Sequence, residues 1–160
     1  MRIEELNALD APAAADALRQ CARIESWVEG LVAQRPYADR AALLDAARTA
    51  AAGWTPQEVE AALADHPRIG ERTAGMSAHS RAEQAGVPDD EAVRERLREG
   101  NRRYEERFGR IYLVRAAGRS AEEMLALLEE RLDNDPATEL AVTGAELAQI
   151  ALLRLEGLIE

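Results

Sequence analysis

The chain predicts an all-α fold, a single compact domain of about seven or eight helices. Three observations carry this. Apolar residues recur at spacings of three and four through most of its 160 residues. Helix-start signals stand ahead of several of those stretches, as in Thr55-Pro56-Gln57-Glu58 and Ser120-Ala121-Glu122-Glu123. The only strand-like run, Ile111-Tyr112-Leu113-Val114, has no second run to pair with, so an extended segment or a helix end is expected there.

Taken in order, Asp10 caps a helix through Ala13 to Ala22. A second, from about Ile24 to Gln34, carries Ile24, Trp27, Val28 and Leu31 on one face and stops at Pro36. A third runs from Asp39 to Ala52 and ends at Gly53. The Thr55 start opens a fourth, with Val59, Ala62 and Leu63 inward, ending at Asp65-His66-Pro67. Residues 68–79 have no steady period and read as loop. Ser80-Arg81-Ala82-Glu83 has capping-box spacing for a short helix to Gly86, and Pro88 opens a long one. Val93, Leu97, Gly100, Tyr104 and Phe108 mark its buried stripe, with Asn101 beside it. Ser120 opens a helix with Met124, Leu125, Leu128 and Leu132 inward, broken at Asn134-Asp135-Pro136. Thr143-Gly144-Ala145-Glu146 is expected to start the last helix, with Leu147, Ile150, Ala151, Leu155 and Leu158 apolar.

Composition narrows the chemistry. A formal net charge of −10 disfavours nucleic acid as a partner. The dense arginines from Arg94 to Arg119 alternate with glutamates and read as a solvated, ion-paired helix face. The chain has no lysine, which excludes a Schiff base to a side-chain amine. One cysteine and two histidines exclude an internal disulfide and a cysteine–histidine zinc site; a carboxylate-rich metal site stays open, with no HExxH or EF-hand pattern present. No run is long enough to span a membrane, so no membrane partner is expected. Met1–Glu5 lacks a signal-peptide core, and Leu158-Ile159-Glu160 is not a Ser-Lys-Leu type signal; the expected location is the cytoplasm.

Three features stand out as candidate chemistry. His66 precedes Pro67, which locks its own φ and drives His66 out of the helical region, so an imidazole suited to proton transfer sits on a stiff hinge. The bland alternative is a histidine that ends a helix. Arg154 falls within the apolar stripe of the last helix and needs an anionic partner, either an internal carboxylate, which spacing favours, or a ligand. Glu83 and Gln84 could together bind an amide- or urea-like group, although the capping box alone accounts for the spacing of Ser80 and Glu83. His79 reads as a surface loop histidine. Trp27 and Trp54 read as core residues and Cys21 as a small buried apolar one.

The order of these features is more specific than any one of them. His66-Pro67-Arg68-Ile69-Gly70 is followed by Ser80-x-x-Glu83-Gln84-Ala85-Gly86. Asn101-x-x-Tyr104-x-x-x-Phe108-Gly109 and Leu152-Leu153-Arg154-Leu155 come after them. The series resembles the OHCU decarboxylase family of urate breakdown, OHCU being 2-oxo-4-hydroxy-4-carboxy-5-ureidoimidazoline. The resemblance spans nearly the whole chain, so residues 1–160 are expected to form one domain of that kind.

The resemblance implies decarboxylation of OHCU to (S)-allantoin without a cofactor, in an all-helical fold that is frequently a homodimer. It makes His66, Glu83 and Arg154 the catalytic set, with His66 as acid/base and Arg154 holding an anionic or carbonyl oxygen. Pro67 would shape the wall, Ser80, Glu83 and Gln84 would bind the ring and ureido groups, and the backbone of Val114, Arg115, Ala116, Ala117 and Gly118 would line the pocket. The chain departs from the family at Arg115, where a small residue or cysteine is common. Two other readings stand beside this one: a non-enzymatic helical interaction module, and a lyase or hydrolase for a related ureide.

Overall fold

The computed structural model describes residues 1–64, 66–70, 82–83 and 91–160. Eight helices lie among them: α1 (Ile3–Ala8), α2 (Ala11–Arg19), α3 (Glu25–Ala33), α4 (Arg40–Ala51), α5 (Pro56–Leu63), α6 (Glu91–Phe108), α7 (Ala121–Leu132) and α8 (Pro136–Leu158). Ala82 and Glu83 are helical as well. The fold is all-α, with no strand among the described residues, and Ile111–Val114 is non-helical. No helix of the described residues is long and apolar enough to cross a membrane. The chain divides into two compact units, Met1–Ala62 with Ala148–Glu160, and Leu63–Leu147.

In the first unit the expected caps form. Asp10 accepts from the Ala13 N–H and Asp39 from the Ala42 N–H, each at 2.8 Å. Thr55 and Glu58 satisfy each other's backbone N–H groups at 3.2 and 3.0 Å. Such caps answer donors that the first helical turn leaves without partners. Leu6, Leu18, Trp27, Val28, Leu31, Leu43, Leu155 and Ile159 are all buried. Trp27 donates its indole N–H to the Ala47 carbonyl at 3.0 Å and meets Trp54 edge-on, with centroids 6.1 Å apart. Arginines close two helix C-termini. Arg35 donates to the Leu6 and Leu9 carbonyls after α1, and Arg40 to those of Glu156 and Ile159 after α8.

Helix α1 is missing from the sequence reading. It has one turn and a half, too few residues for a period to show, and only Ile3 and Leu6 are buried. Its start is a box in which the Arg2 N–H donates to Glu5 at 2.7 Å, with an arginine where a short polar residue usually signals a cap.

The second unit packs α6 against α7. Gly100 permits the approach: a Cβ there would meet Leu128 Cδ1 at 3.0 Å. Leu97, Tyr104, Tyr112, Val114, Ala116, Met124 and Leu128 form one buried cluster, which Ile69 joins from the turn after α5. The arginine-rich face of α6 is solvated and ion-paired as expected. Arg102 bridges Glu99 and Glu106, Arg98 pairs with Glu95, and Arg103 reaches Glu129 of α7 at 3.2 Å.

The last helix corrects the sequence reading. It starts at Pro136, two turns before Thr143. Asp135 caps it by accepting from the Thr138 N–H at 2.7 Å, and proline at the first position needs no acceptor for an N–H it lacks. Thr143 is mid-helix and donates its hydroxyl back to the Glu139 carbonyl at 2.9 Å. Thr143-Gly144-Ala145-Glu146 has capping-box spacing, but its polar side chains face inward: Thr143 is fully buried and Glu146 nearly so.

Candidate active site

His66 sits one turn past the end of α5, with its backbone N–H on the Leu63 carbonyl at 3.1 Å, and its side chain is half-buried. Three ties hold the turn that follows. Asn101 of α6 donates its amide to the Ile69 carbonyl at 3.0 Å. Arg68 lies across the Glu105 carboxylate, with contacts of 2.7–3.0 Å. Gly70 adopts φ +85°, and a Cβ there would come within 3.0 Å of Leu97 Cδ1. An L side chain would be strained at that φ and also crowded. The sequence places Asn101 beside the stripe of α6; the structure gives it the task of holding the histidine turn.

The segment from Ile111 to Gly118 is the second part. Val114 and Ala116 are buried, Arg115 and Ala117 half-buried, and Gly118 exposed at φ +77°. Val114 and Ala116 share the cluster that contains Ile69, so this segment and the His66 turn rest on one core. Arg131 donates to the Leu113 carbonyl at 2.7 Å, and Glu146 accepts from the Arg115 N–H at 3.4 Å and from Arg119 at 2.7 Å. The N–H groups of Val114, Ala116, Ala117 and Gly118 donate to nothing among the described residues. Of these, Val114 and Ala116 belong to buried residues, where a donor without an acceptor is costly; Gly118 is exposed and its N–H is open to water or a ligand.

Beneath the segment lies a buried ionic network that the sequence reading does not contain. Glu139, fully buried, accepts from Arg131 at 2.7 Å, from the Tyr104 hydroxyl and from Asn134 at 3.1 Å. Arg131 also lies 4.8 Å from the Tyr112 ring centroid. Burial pulls against the guanidinium's charge, and the hydrogen bond and charge of Glu139 outweigh it, leaving Arg131 held more firmly protonated than in water. Burial pushes the Tyr104 hydroxyl above its ordinary value, and its bond to Glu139 raises it further. The only sequence signal for this network is the pair of polar residues, Glu139 and Thr143, spaced one helical turn apart on α8.

Of the other sequence-predicted residues, Pro67 is half-buried next to His66, and Glu83 is half-buried and helical. Ser80, Gln84, His79 and Asp65 lie outside the described residues. Arg154 is half-buried in the first unit, where its charge reaches Cys21. Cys21 is buried as expected, and burial pushes its thiol up to about 12. An open groove of about 570 Å³ between α6 and α7, walled by Glu95, Glu99, Arg103, Glu122 and Glu129, includes none of the sequence-predicted residues. Among the described residues, no three carboxylate, imidazole or thiol groups gather as a metal site.

Known proteins resemble this chain throughout. It is 36% identical over 101 residues to 2-oxo-4-hydroxy-4-carboxy-5-ureidoimidazoline decarboxylase of Amia calva, a match covering 59% of this chain and 58% of that one. It is 33% identical over 102 residues to the uric acid degradation bifunctional protein TTL of Arabidopsis thaliana, covering 59% of this chain and 31% of that one. The chain thus spans less than two thirds of either relative. A decarboxylase of the same name from Halalkalicoccus jeotgali is 27% identical over 162 residues, covering 99% and 92%. A crystal structure of OHCU decarboxylase in the presence of (S)-allantoin superposes with a TM-score of 0.73 at 24% identity, covering 88% of this chain and 94% of that one. One of (S)-allantoin synthase gives 0.73 at 17% identity, covering 99% and 54%. At those identities the two likenesses speak for the fold. The model of the OHCU decarboxylase family matches residues 7–156, and the chain belongs to that family.

Proposed function

We propose that this protein decarboxylates OHCU to (S)-allantoin in urate breakdown, acting without a cofactor as a carbon–carbon lyase. The observation that carries the reading is the match of the family model across residues 7–156, supported by the all-α fold. We also propose that residues 1–160 work as one domain, that the protein is a cytoplasmic homodimer, and that its ligand is the ureidoimidazoline. Nucleic acid and membranes have no part in the reading.

The reaction breaks the bond between a ring carbon and its carboxylate. CO2 leaves, the electron pair stays with the ring and spreads as an enolate, and a proton is delivered to one face of the ring. His66 is the proposed proton donor, a role worth roughly 10²–10⁴-fold. Pro67 fixes its direction by stiffening the hinge. Arg154 holds an anionic or carbonyl oxygen, Ser80, Glu83 and Gln84 hold the ring and ureido groups, and the backbone of Val114, Arg115, Ala116, Ala117 and Gly118 lines the pocket. Each well-placed donor to the developing charge contributes a few kcal/mol. The N–H groups of Val114, Ala116, Ala117 and Gly118, which donate to nothing among the described residues, support the segment's part in the reading.

The test is a coupled assay in which urate oxidase and hydroxyisourate hydrolase make OHCU in situ. Circular dichroism follows the product. Fast appearance of one enantiomer supports the reading; racemic allantoin at the spontaneous rate refutes it.

A further inference from the structure

We infer that Glu146 is a positioning residue for the Val114–Gly118 segment, and through it for the substrate; this rests on the decarboxylase reading. Glu146 lies on α8 seven residues after Glu139 and three after Thr143, so two turns of one helix present a polar stripe to the interior of the second unit. The stripe grips the segment twice. Glu139 holds Arg131, whose guanidinium takes the Leu113 carbonyl at 2.7 Å. Glu146 takes the far end directly, with one oxygen on the Arg115 N–H at 3.4 Å and the other on Arg119 at 2.7 Å.

Arg119 in turn closes the turn on itself. Its side chain donates to the Arg115 carbonyl at 3.4 Å and its N–H to the Ala116 carbonyl at 3.1 Å. The result is a loop pinned at Leu113, Arg115 and Arg119. The N–H groups of Ala116, Ala117 and Gly118, which donate to nothing among the described residues, lie between the pins. A loop that presents free backbone donors binds well only if those donors are held before the ligand arrives, because otherwise their ordering must be met from the binding energy. The Glu146–Arg119 pair is suited to this, with side chains only 9% and 18% exposed. A lone surface pair would hold a loop weakly.

The experiment compares the wild type with Glu146→Gln, Arg119→Gln and the double variant. Each protein is first shown to be folded by its helical circular dichroism and thermal midpoint. Both single variants are expected to raise KM for OHCU roughly tenfold, and the double variant no more than the worse single, since all remove the same clamp. A merely structural role would leave fewer folded molecules, lowering kcat and leaving KM alone. KM within twofold of wild type in the folded variants overturns the inference. If Glu146→Gln does not fold, Arg119→Gln, at the more exposed end of the pair, carries the test. Amide hydrogen exchange without substrate separates this inference from the decarboxylase reading. Exchange at the backbone N–H groups of positions 115 and 119 is expected to quicken roughly tenfold in the variants, and unchanged exchange overturns the clamp whatever the wild-type activity.

Discussion

The side-chain amide of Asn101 donates a 3.0 Å hydrogen bond to the backbone carbonyl of Ile69, 32 positions earlier in the chain. This bond joins the middle of α6 to the turn that carries His66. Asn101→Ala would leave a buried carbonyl without its donor, at a cost of about 1–3 kcal/mol. The turn should loosen with it, and kcat/KM for OHCU should fall by roughly tenfold. Urea unfolding and steady-state kinetics check both. Unchanged kinetics in a destabilised variant would show that the bond serves stability alone.

Gly70 restrains the same turn through its backbone. At φ +85° with Leu97 at 3.0 Å from a built Cβ, Gly70→Ala meets both conformational strain and a clash. A loss of about 1–3 kcal/mol is expected in urea unfolding. A variant as stable as wild type would mean that the turn has an alternative conformation of equal energy.

Breaking the buried pair Arg131–Glu139 should strongly destabilise the second unit. Arg131→Met strands the Glu139 carboxylate and frees the Leu113 carbonyl, and removing one partner of such a pair typically costs about 3–5 kcal/mol. Replacing both charges with apolar residues of similar volume should cost less than either single change. Equal losses for the double and single variants would contradict the view that the stranded charge is the penalty.

Acid stability depends in part on Glu58. Its bond from the Ser26 hydroxyl, then that from the Thr55 N–H, hold its carboxyl below the ordinary value of 4.5. A lowered native value means this stabilisation is complete above about pH 4.5 and is lost as pH falls through the native value. Glu58→Gln should therefore make stability fall less steeply with acid below pH 4.5, as read from urea midpoints across a pH series. Parallel curves would contradict it.

Most helices were legible because their signals are local. Asp10, Asp39, Thr55 and Ser120 cap as their side-chain chemistry suggests; the apolar stripe of α3 is buried, and those of α6 and α7 are buried at their centres, with Val93, Phe108 and Leu132 half-buried at the ends. One wrong helix start and one unread network share a source. Thr143 and Glu146 have a cap's spacing, and only the tertiary environment shows that their polar groups turn inward to partners on other elements. Glu139 and Arg131 look like ordinary surface charges of amphipathic helices, and nothing nearby in sequence announces that they are buried together. The His66 turn was visible from His66-Pro67; the tie from Asn101 was not, because it links residues 32 positions apart.

His66 is proposed to deliver the proton that completes decarboxylation. The most direct measurement runs wild type and His66→Asn side by side in the coupled assay, following the circular dichroism of allantoin, with helical content checked for both. Rapid (S)-allantoin is expected from the wild type, with a rate lower by roughly 10²–10⁴-fold in a folded His66→Asn. A folded variant that turns over within a few-fold of wild type, still giving one enantiomer, would contradict it.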